Sequence, residues 1–442
     1  MERAVKKVMA MVPERAVILA AGLGTRMGRK PKGLVRVAGR EILYRTIRLL
    51  QENGVKKFIV VTNERYAPLY QEFIERHGFD AEIIINPEPE KGNGHSLHLA
   101  KEKVSGKFAL TMSDHVYSRD FIERAVRGRG LIADREPRWV DIGEATKVQV
   151  KDEKVWKIGK RLKEWDAIDT GFFVLDDEIF KVTEILENEK NGDYSLSEVM
   201  ERAKVSVTFV DGLGWTDVDT PEEIKRARRM LVRTAVKGTG DGFVSRHLNR
   251  RISTRVSELL VEKVTPNQMT VVTFLLGIIS ALTTLVSLPL AGILYQLSSI
   301  LDGIDGELAR AQLRTSKLGG YVDSILDRYV DGSFLALLAY ATINEPIWYF
   351  VALLALLGSV MVSYSTERFR GAFCRDAYKE VPALRKLPGK RDERVFLTML
   401  FLLYQIAASI KALFLTLAVL TNFRVALTLY FVVKKVSHPK TI

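Results

Sequence analysis

A single cysteine, Cys374, in 442 residues leaves this sequence no intrachain disulfide and no cysteine-rich metal site, which fits a soluble part facing a reducing compartment. The first residues, MERAVKKVMAMVPERAV, lack the long apolar core of a signal peptide, so export of the N-terminal half is not expected. Membrane-length apolar runs are missing up to about residue 235 and appear only from Met269 onward. Despite a formal charge of +13, there is no isolated basic tail and no basic stripe interleaved with aromatics. Nucleic acid is therefore not an expected partner, and many of the basic residues flank apolar runs as cytoplasmic anchors do. A chain of this length exceeds what one hydrophobic core usually serves, so at least two domains are expected.

What is present divides accordingly. Arg15 to Ala21 reads as a buried strand, a short apolar run stopped by glycines. Helical spacing follows at Ile42 to Asn53, and further strands are expected at Lys57 to Thr62, Ala81 to Ile85, Phe108 to Met112, Thr170 to Leu175 and Val205 to Val210. Strands alternating with helices predict a Rossmann-like α/β domain with a mostly parallel sheet over residues 1–235. A glycine-rich break, Lys237 to Gly242, opens a linker segment, 236–266. Within it Val244, Leu248, Ile252, Val256, Leu259 and Leu260 fall at helical intervals opposite arginines, predicting an amphipathic helix on a membrane surface. Residues 267–442 predict an all-α transmembrane domain of six helices, near 268–286, 289–310, 318–341, 346–366, 395–410 and 412–433. Residues 366–394 carry nine Lys or Arg while the turns near Pro289 and Pro346 carry none, which puts both termini and the soluble domain on the cytoplasmic side of a cell membrane. Lys411 and Arg424 leave the last outer turn ambiguous.

The first strand runs into Gly22-Leu23-Gly24-Thr25-Arg26-Met27-Gly28, with Pro31-Lys32 just after. Glycines after a strand let backbone N–H groups approach phosphates, and Arg26 and Lys32 can neutralise a departing pyrophosphate. The set LAAGLGTRMG, PK, a later GNG-S and a strand ending in Asp114 resembles the sugar-phosphate nucleotidyltransferase family over about residues 14 to 232. The resemblance implies a nucleotidyltransferase fold in which Leu19, Ala20, Ala21 and Gly22 line the base and ribose and Gly92, Asn93, Gly94 and Ser96 contact the base. By the same likeness Arg26 and Lys32 hold the phosphates, Asp114 ligates Mg²⁺, and Asp217 or Asp219 in GWTDVDTP supplies a second carboxylate. Gly33-Leu34-Val35-Arg36-Val37 and Ser113-Asp114-His115 depart from the family pattern and leave the sugar unassigned; His115 reads equally well as a packing residue.

In the membrane half, residues 302 to 327 read DGIDGELARAQLRTSKLGGYVDSILD. Asp302 and Asp305 share one helical face, as do Asp323 and Asp327. Four carboxylates at membrane depth would repel one another, and bound divalent cations are the simplest way to tolerate them. The spacing D-x2-D-G-x2-A-R-x8-G-x3-D-x3-D is that of the CDP-alcohol phosphotransferase family, which the chain resembles over about residues 240 to 435. That resemblance implies Asp302, Asp305 and Asp323 as metal ligands, Asp327 beside the metals as general base, and Gly306, Ala309, Arg310 and Gly319 shaping the CDP site. Arg314, Lys317, Arg368 and Arg370 are candidates to hold an acceptor phosphate, or else mark the cytoplasmic boundary.

Fused, the two halves are similar to fusions of these families that use CTP and inositol 1-phosphate to make CDP-inositol and then a di-inositol phosphodiester. The resemblance further implies Mg²⁺ or Mn²⁺ at both sites, a lipid bilayer around the second half and a homodimer. The alternatives are a phospholipid-type phosphotransferase with another CDP-polyol, a catalytically silent soluble head, or a transporter with a nucleotide-sensing domain.

Overall fold

A computed structural model describes residues 12–24, 30–236, 241–404 and 407–437, and the chain divides into two compact units, Met1–Thr234 and Ala235–Ile442. The strands of the first unit are β1 (Arg15–Leu19), β2 (Arg36–Val37), β3 (Arg40–Glu41), β4 (Lys57–Asn63), β5 (Ala81–Asn86), β6 (Phe108–Met112) and β7 (His115–Tyr117). They continue as β8 (Gly130–Asp134), β9 (Lys147–Lys151), β10 (Lys154–Gly159), β11 (Ala167–Leu175), β12 (Val207–Phe209) and β13 (Trp215–Asp217). The helices are α1 (Ile42–Glu52), α2 (Ala67–His77), α3 (Gly92–His98), α4 (Arg119–Ala125), α5 (Ile179–Lys190), α6 (Leu196–Ala203) and α7 (Pro221–Thr234).

The main sheet runs β10-β9-β11-β6-β1-β4-β5, with β8 beside β11 and β12 beside β8. Its centre, β6-β1-β4-β5, is parallel, and β1 and β4 are apolar almost throughout because helices cover both faces. From β1 the chain builds β4 and β5 on one side and then crosses back to lay β6 on the other. This reversal opens a crevice at the carboxyl ends of β1 and β6, where an open α/β sheet binds its ligands. The longer β11 closes the other side antiparallel to β6, β8 and β9. The hairpin β9–β10 and strand β8 were not expected from sequence: KVQVK holds only two apolar residues, yet its Val148 is fully buried.

The second unit contains α8 (Arg250–Leu260, entered through a π turn at Ser245–Asn249), α9 (Pro266–Thr283), α10 (Leu288–Ala311), α11 (Lys317–Thr342), α12 (Pro346–Phe373), α13 (Ala377–Glu380), α14 (Arg391–Leu403) and α15 (Ala407–Ser437). Caps fix several starts: Thr265 and Gln268 form a capping box before Pro266 at N1, and Ser316 accepts the Gly319 N–H. Among the described residues, α9, α12 and the Ser409–Lys435 part of α15 are long and apolar enough to cross a membrane. Helices α10 and α11 have the length but carry the carboxylates, and α14 has 13 residues, about 20 Å at ~1.5 Å per residue. Small residues let the helices close on one another. A Cβ on Gly358 would stand 2.0 Å from the Thr421 hydroxyl, so α12 and α15 cross almost backbone to backbone there.

One expectation is extended and another changes. The segment expected to lie on a membrane surface exposes an apolar stripe, Leu248, Ile252 and Leu259, and adds a buried polar row that was not expected, Asn249, Ser253 and Ser257. The serines donate to Glu307, a wholly buried acid on α10, at 2.9 and 2.7 Å. Lys411 does not mark a turn: it lies one turn inside α15 and reaches Glu345, the N-cap of α12, at 2.7 Å. Arg424 is buried and donates to the carbonyls of Leu387, Pro388 and Leu384.

Candidate active sites

In the first unit the crevice is built from three strand ends. Leu19, Ala20 and Ala21 are buried as β1 leaves the sheet, and the loop is pinned from the end of β4 and the start of α2: Asn63 donates to the Ala21 carbonyl at 2.9 Å, and Tyr66 donates to that of Leu23 at 3.0 Å. Gly22 is exposed, while Gly24 has φ +60° and a Cβ there would collide with the Lys30 carbonyl at 2.2 Å. Arg26 lies outside the described residues. Next door, Asp114 follows β6, and Lys32 donates to it at 3.0 Å and also to Asp219. The small ladder β7–β13 sets His115 opposite Asp217, and the Val218 N–H donates to the Asp114 carbonyl at 2.9 Å. Asp114 and Asp219 thus share one ammonium, whereas Asp217 turns toward Arg226 at 3.8 Å.

Electrostatics follow from this crowding. Burial pushes the Asp114 carboxyl up, but His115, bonded to it at 2.8 Å, and Lys32 outweigh burial and hold it well below the usual carboxylate range. Burial pulls Lys32 and His115 down, and the carboxylates around each raise both above their ordinary values. Asp169, across the cleft, is pushed up to about 6 by burial, against the opposing Gly171 N–H and the His115 charge. Asp114, His115, Asp169 and Asp219 line a cleft of ≈ 250 Å³ that also takes in Asn93, Lys160 and Trp215. His115 is stacked parallel to Trp215 and closed over by Gly171, where a Cβ would sit 2.5 Å from Nε2.

The GNG-S segment is the N-terminal turn of α3. Its glycines have a packing reason: a Cβ on Gly92 would meet the Tyr194 carbonyl at 2.6 Å and one on Gly94 the Tyr194 ring at 2.5 Å. Asn93 reaches the cleft but accepts the Leu196 N–H at 2.7 Å, and Ser96 is buried against Asn86 at 3.0 Å. Of the four, Asn93 is the one that lines the cleft.

In the second unit α10 and α11 bring three carboxylates together. Ligand oxygens of Asp302, Asp323 and Asp327 lie within 4.8 Å of one another, a hard-oxygen set suited to a divalent cation. Asp305, one turn beyond Asp302, is buried and held by the Thr270 hydroxyl at 2.6 Å. Gly306 leaves room for the Arg310 guanidinium, which would lie 3.0 Å from a Cβ there, and Arg310 Nε donates to the Ala235 carbonyl. Ala309 is half-buried on the same turn, and the Gly319 N–H is spent on capping α11.

Arg391, at the start of α14, was not singled out in the sequence. It donates to Asp302 at 3.0 Å and lies 3.3 Å from Asp327. Arg314, Lys317, Arg368 and Arg370 are exposed, and Arg370 is engaged by Glu367 at 3.0 Å. The polar pocket of ≈ 220 Å³ beside Asp302 is lined instead by Arg250, Arg328, Lys390 and Arg391, with Ser363, Thr366 and Tyr378. Arg250 is aimed into it by Asp241 at 2.9 Å and Glu307 at 2.9 Å.

A family model described as a MobA-like NTP transferase domain matches residues 16–134, and one described as CDP-alcohol phosphatidyltransferase matches residues 263–423. Over 429 residues the chain is 52% identical to a bifunctional IPC transferase and DIPP synthase of Aquifex aeolicus (strain VF5), covering 96% of this chain and 99% of that one. It is 54% identical over 418 residues to the protein of the same description from Archaeoglobus fulgidus, covering 94% and 84%. Among solved structures, an inositol-1-phosphate CTP transferase from T. maritima is 25% identical, with a TM-score of 0.45 over 50% of this chain and 96% of that chain. With both halves matched and more than half of all positions shared over nearly the full length of one relative, the chain belongs to the family of bifunctional IPC transferases and DIPP synthases.

Proposed function

We propose that the chain carries out two successive transfers. CTP and inositol 1-phosphate give CDP-inositol and diphosphate, and CDP-inositol with a second inositol 1-phosphate gives the phosphorylated di-inositol phosphodiester and CMP. The observation that carries this reading is the full-length similarity to bifunctional relatives in a chain that keeps both sets of reactive residues.

In the first step a phosphate oxygen of inositol 1-phosphate attacks the α-phosphorus of CTP in line, and pyrophosphate leaves. The Gly22–Gly24 loop receives the phosphates, Arg26 and Lys32 offset the charge on the leaving group, and Leu19, Ala20, Ala21 and the start of α3 face the nucleoside. Asp114 with Asp219 would hold the cation, a choice over Asp217 supported by the Lys32 ammonium that joins them. The cleft with His115, Asp169 and Lys160 is left for the polyol phosphate.

In the second step Asp327 takes the proton of the acceptor hydroxyl, whose oxygen attacks the inositol-bearing phosphorus while CMP leaves. Asp302, Asp305, Asp323 and Asp327 would hold divalent cations, Mg²⁺ or Mn²⁺, which when bound neutralise the diphosphate. Gly306, Ala309, Arg310 and Gly319 shape the CDP site. The pocket of Arg250, Arg328 and Lys390 suits the acceptor's phosphate, because three cations face one polar volume beside Asp302. Both substrates are polar, so this site opens to the cytoplasm from a six-helix, multi-pass unit in the bilayer, as a homodimer with both termini inside.

The test is an Asp114→Ala variant supplied in turn with each substrate pair. It should fail to form CDP-inositol from CTP yet convert preformed CDP-inositol and inositol 1-phosphate at the wild-type rate. Undiminished CDP-inositol synthesis would remove Asp114 from the first site, and a lipid-extractable product would favour a phospholipid-type acceptor.

A further inference from the structure

Helix α11 carries a third aspartate, Asp331, one turn beyond Asp327 on the same face. It is 4% exposed and stands outside the three-carboxylate cluster. Arg391 Nε donates to both Asp331 oxygens, at 3.1 and 3.2 Å, the Tyr295 hydroxyl donates to one of them at 2.8 Å, and Arg394 approaches the other at 3.7 Å. The same guanidinium sends its two remaining nitrogens elsewhere, one to Asp302 at 3.0 Å and one to Asp327 at 3.3 Å. One planar fork therefore ties the anchoring aspartate to a candidate metal ligand on α10 and to the candidate base on α11.

We infer that Asp331 and Arg391 are a positioning pair for the membrane site, holding Asp302 and Asp327 in register while leaving its charge unchanged. The geometry argument is that a guanidinium offers five donors in a rigid fork, which a lysine ammonium cannot reproduce across three carboxylates. The charge argument is that the Arg391 cation, added to the Arg328 guanidinium that already donates to Asp327 at 3.4 Å, would oppose the divalent ions Asp302 and Asp327 are suited to hold. Asp331 cancels it. Residues that orient ligands in this way commonly matter almost as much as the ligands themselves.

The inference rests on the phosphotransfer reading for its kinetic arm but not for its binding arm. Full-length protein in detergent, with Asp114→Ala silencing the first site, is titrated with Mn²⁺ and followed by electron paramagnetic resonance. Asp331→Asn leaves Arg391 unbalanced and should weaken Mn²⁺ binding about 10-fold or more. Adding Arg391→Gln removes the stranded charge and should recover most of that loss. Arg391→Lys keeps the charge, so Mn²⁺ binding should stay within a few-fold of the parent. With preformed CDP-inositol, however, its kcat should fall about 10- to 100-fold at little-changed KM. An Asp331→Asn variant that binds Mn²⁺ like the parent, or a double variant no better than the single one, would overturn the inference, since loss of packing alone cannot be reversed by a second deletion. A parent inactive on CDP-inositol would instead sink the phosphotransfer reading, leaving the Mn²⁺ order to judge the pair.

Discussion

Replacing Lys32 by methionine removes the one ammonium that bridges Asp114 and Asp219 while keeping a long side chain in place. A hydrogen bond to a charged group is worth about 1.5–3 kcal/mol, and on the proposed function Lys32 gives such a bond to the pyrophosphate as negative charge builds on it. At about 1.4 kcal/mol per decade this corresponds to a loss of roughly 10- to 150-fold in kcat/KM for CDP-inositol synthesis. The two carboxylates would also face each other without the cation that competes for them, so the variant should need less Mg²⁺ to reach half-maximal rate. Pyrophosphate release from CTP and inositol 1-phosphate is the assay, and turnover of preformed CDP-inositol by the same preparation is the internal control. The reasoning is refuted if the variant keeps wild-type kcat/KM at the first site. It is refuted equally if both activities fall together, because that would report a general loss of structure rather than a local charge effect.

Glu307→Ala should destabilise the membrane unit by about 3 kcal/mol, the lower end of the cost of breaking a buried ion pair, because Arg250 keeps Asp241. Glu307→Gln should cost less, since its amide oxygen still accepts from Ser253 or Ser257; chemical unfolding in detergent ranks the two. For Asp169 the folded carboxyl is raised to about 6, so its protonation favours folding at low pH, and that contribution is lost as pH rises through 6. In EDTA, Asp169→Asn should therefore raise the melting temperature of the first unit over wild type at pH 8 and not at pH 4. An equal shift at both would refute the assignment.

The parts of these sites that were legible in the sequence are those whose spacing is local. Asp302, Asp305, Asp323 and Asp327 declare themselves because helical periodicity places each pair on one face, and LAAGLG because a strand must stop where glycines begin. Asp331 continues the i, i+4 series of Asp323 and Asp327 and was readable by the same rule, although no phosphotransferase motif calls attention to it. Arg391 was not readable. It sits among nine basic residues that the positive-inside rule already accounts for, and only the docking of α14 on α10 brings it to Asp302. The choice between Asp217 and Asp219 had the same character, because β13 pairing with β7 decides which carboxylate turns toward Lys32. Gly92 and Gly94 carry a second reason for being glycine that the motif does not reveal, since each also leaves the space that Tyr194 needs.

The central claim, two transfers in fixed order by two separate sites, is tested most directly by following phosphorus NMR as full-length protein meets CTP, Mg²⁺ and inositol 1-phosphate, wild type beside Asp327→Ala. The account predicts pyrophosphate, CMP and a soluble phosphodiester from wild type, and CDP-inositol accumulating without CMP from the variant. A variant that releases CMP and diester at the wild-type rate, or a wild type that leaves CTP intact, would contradict it.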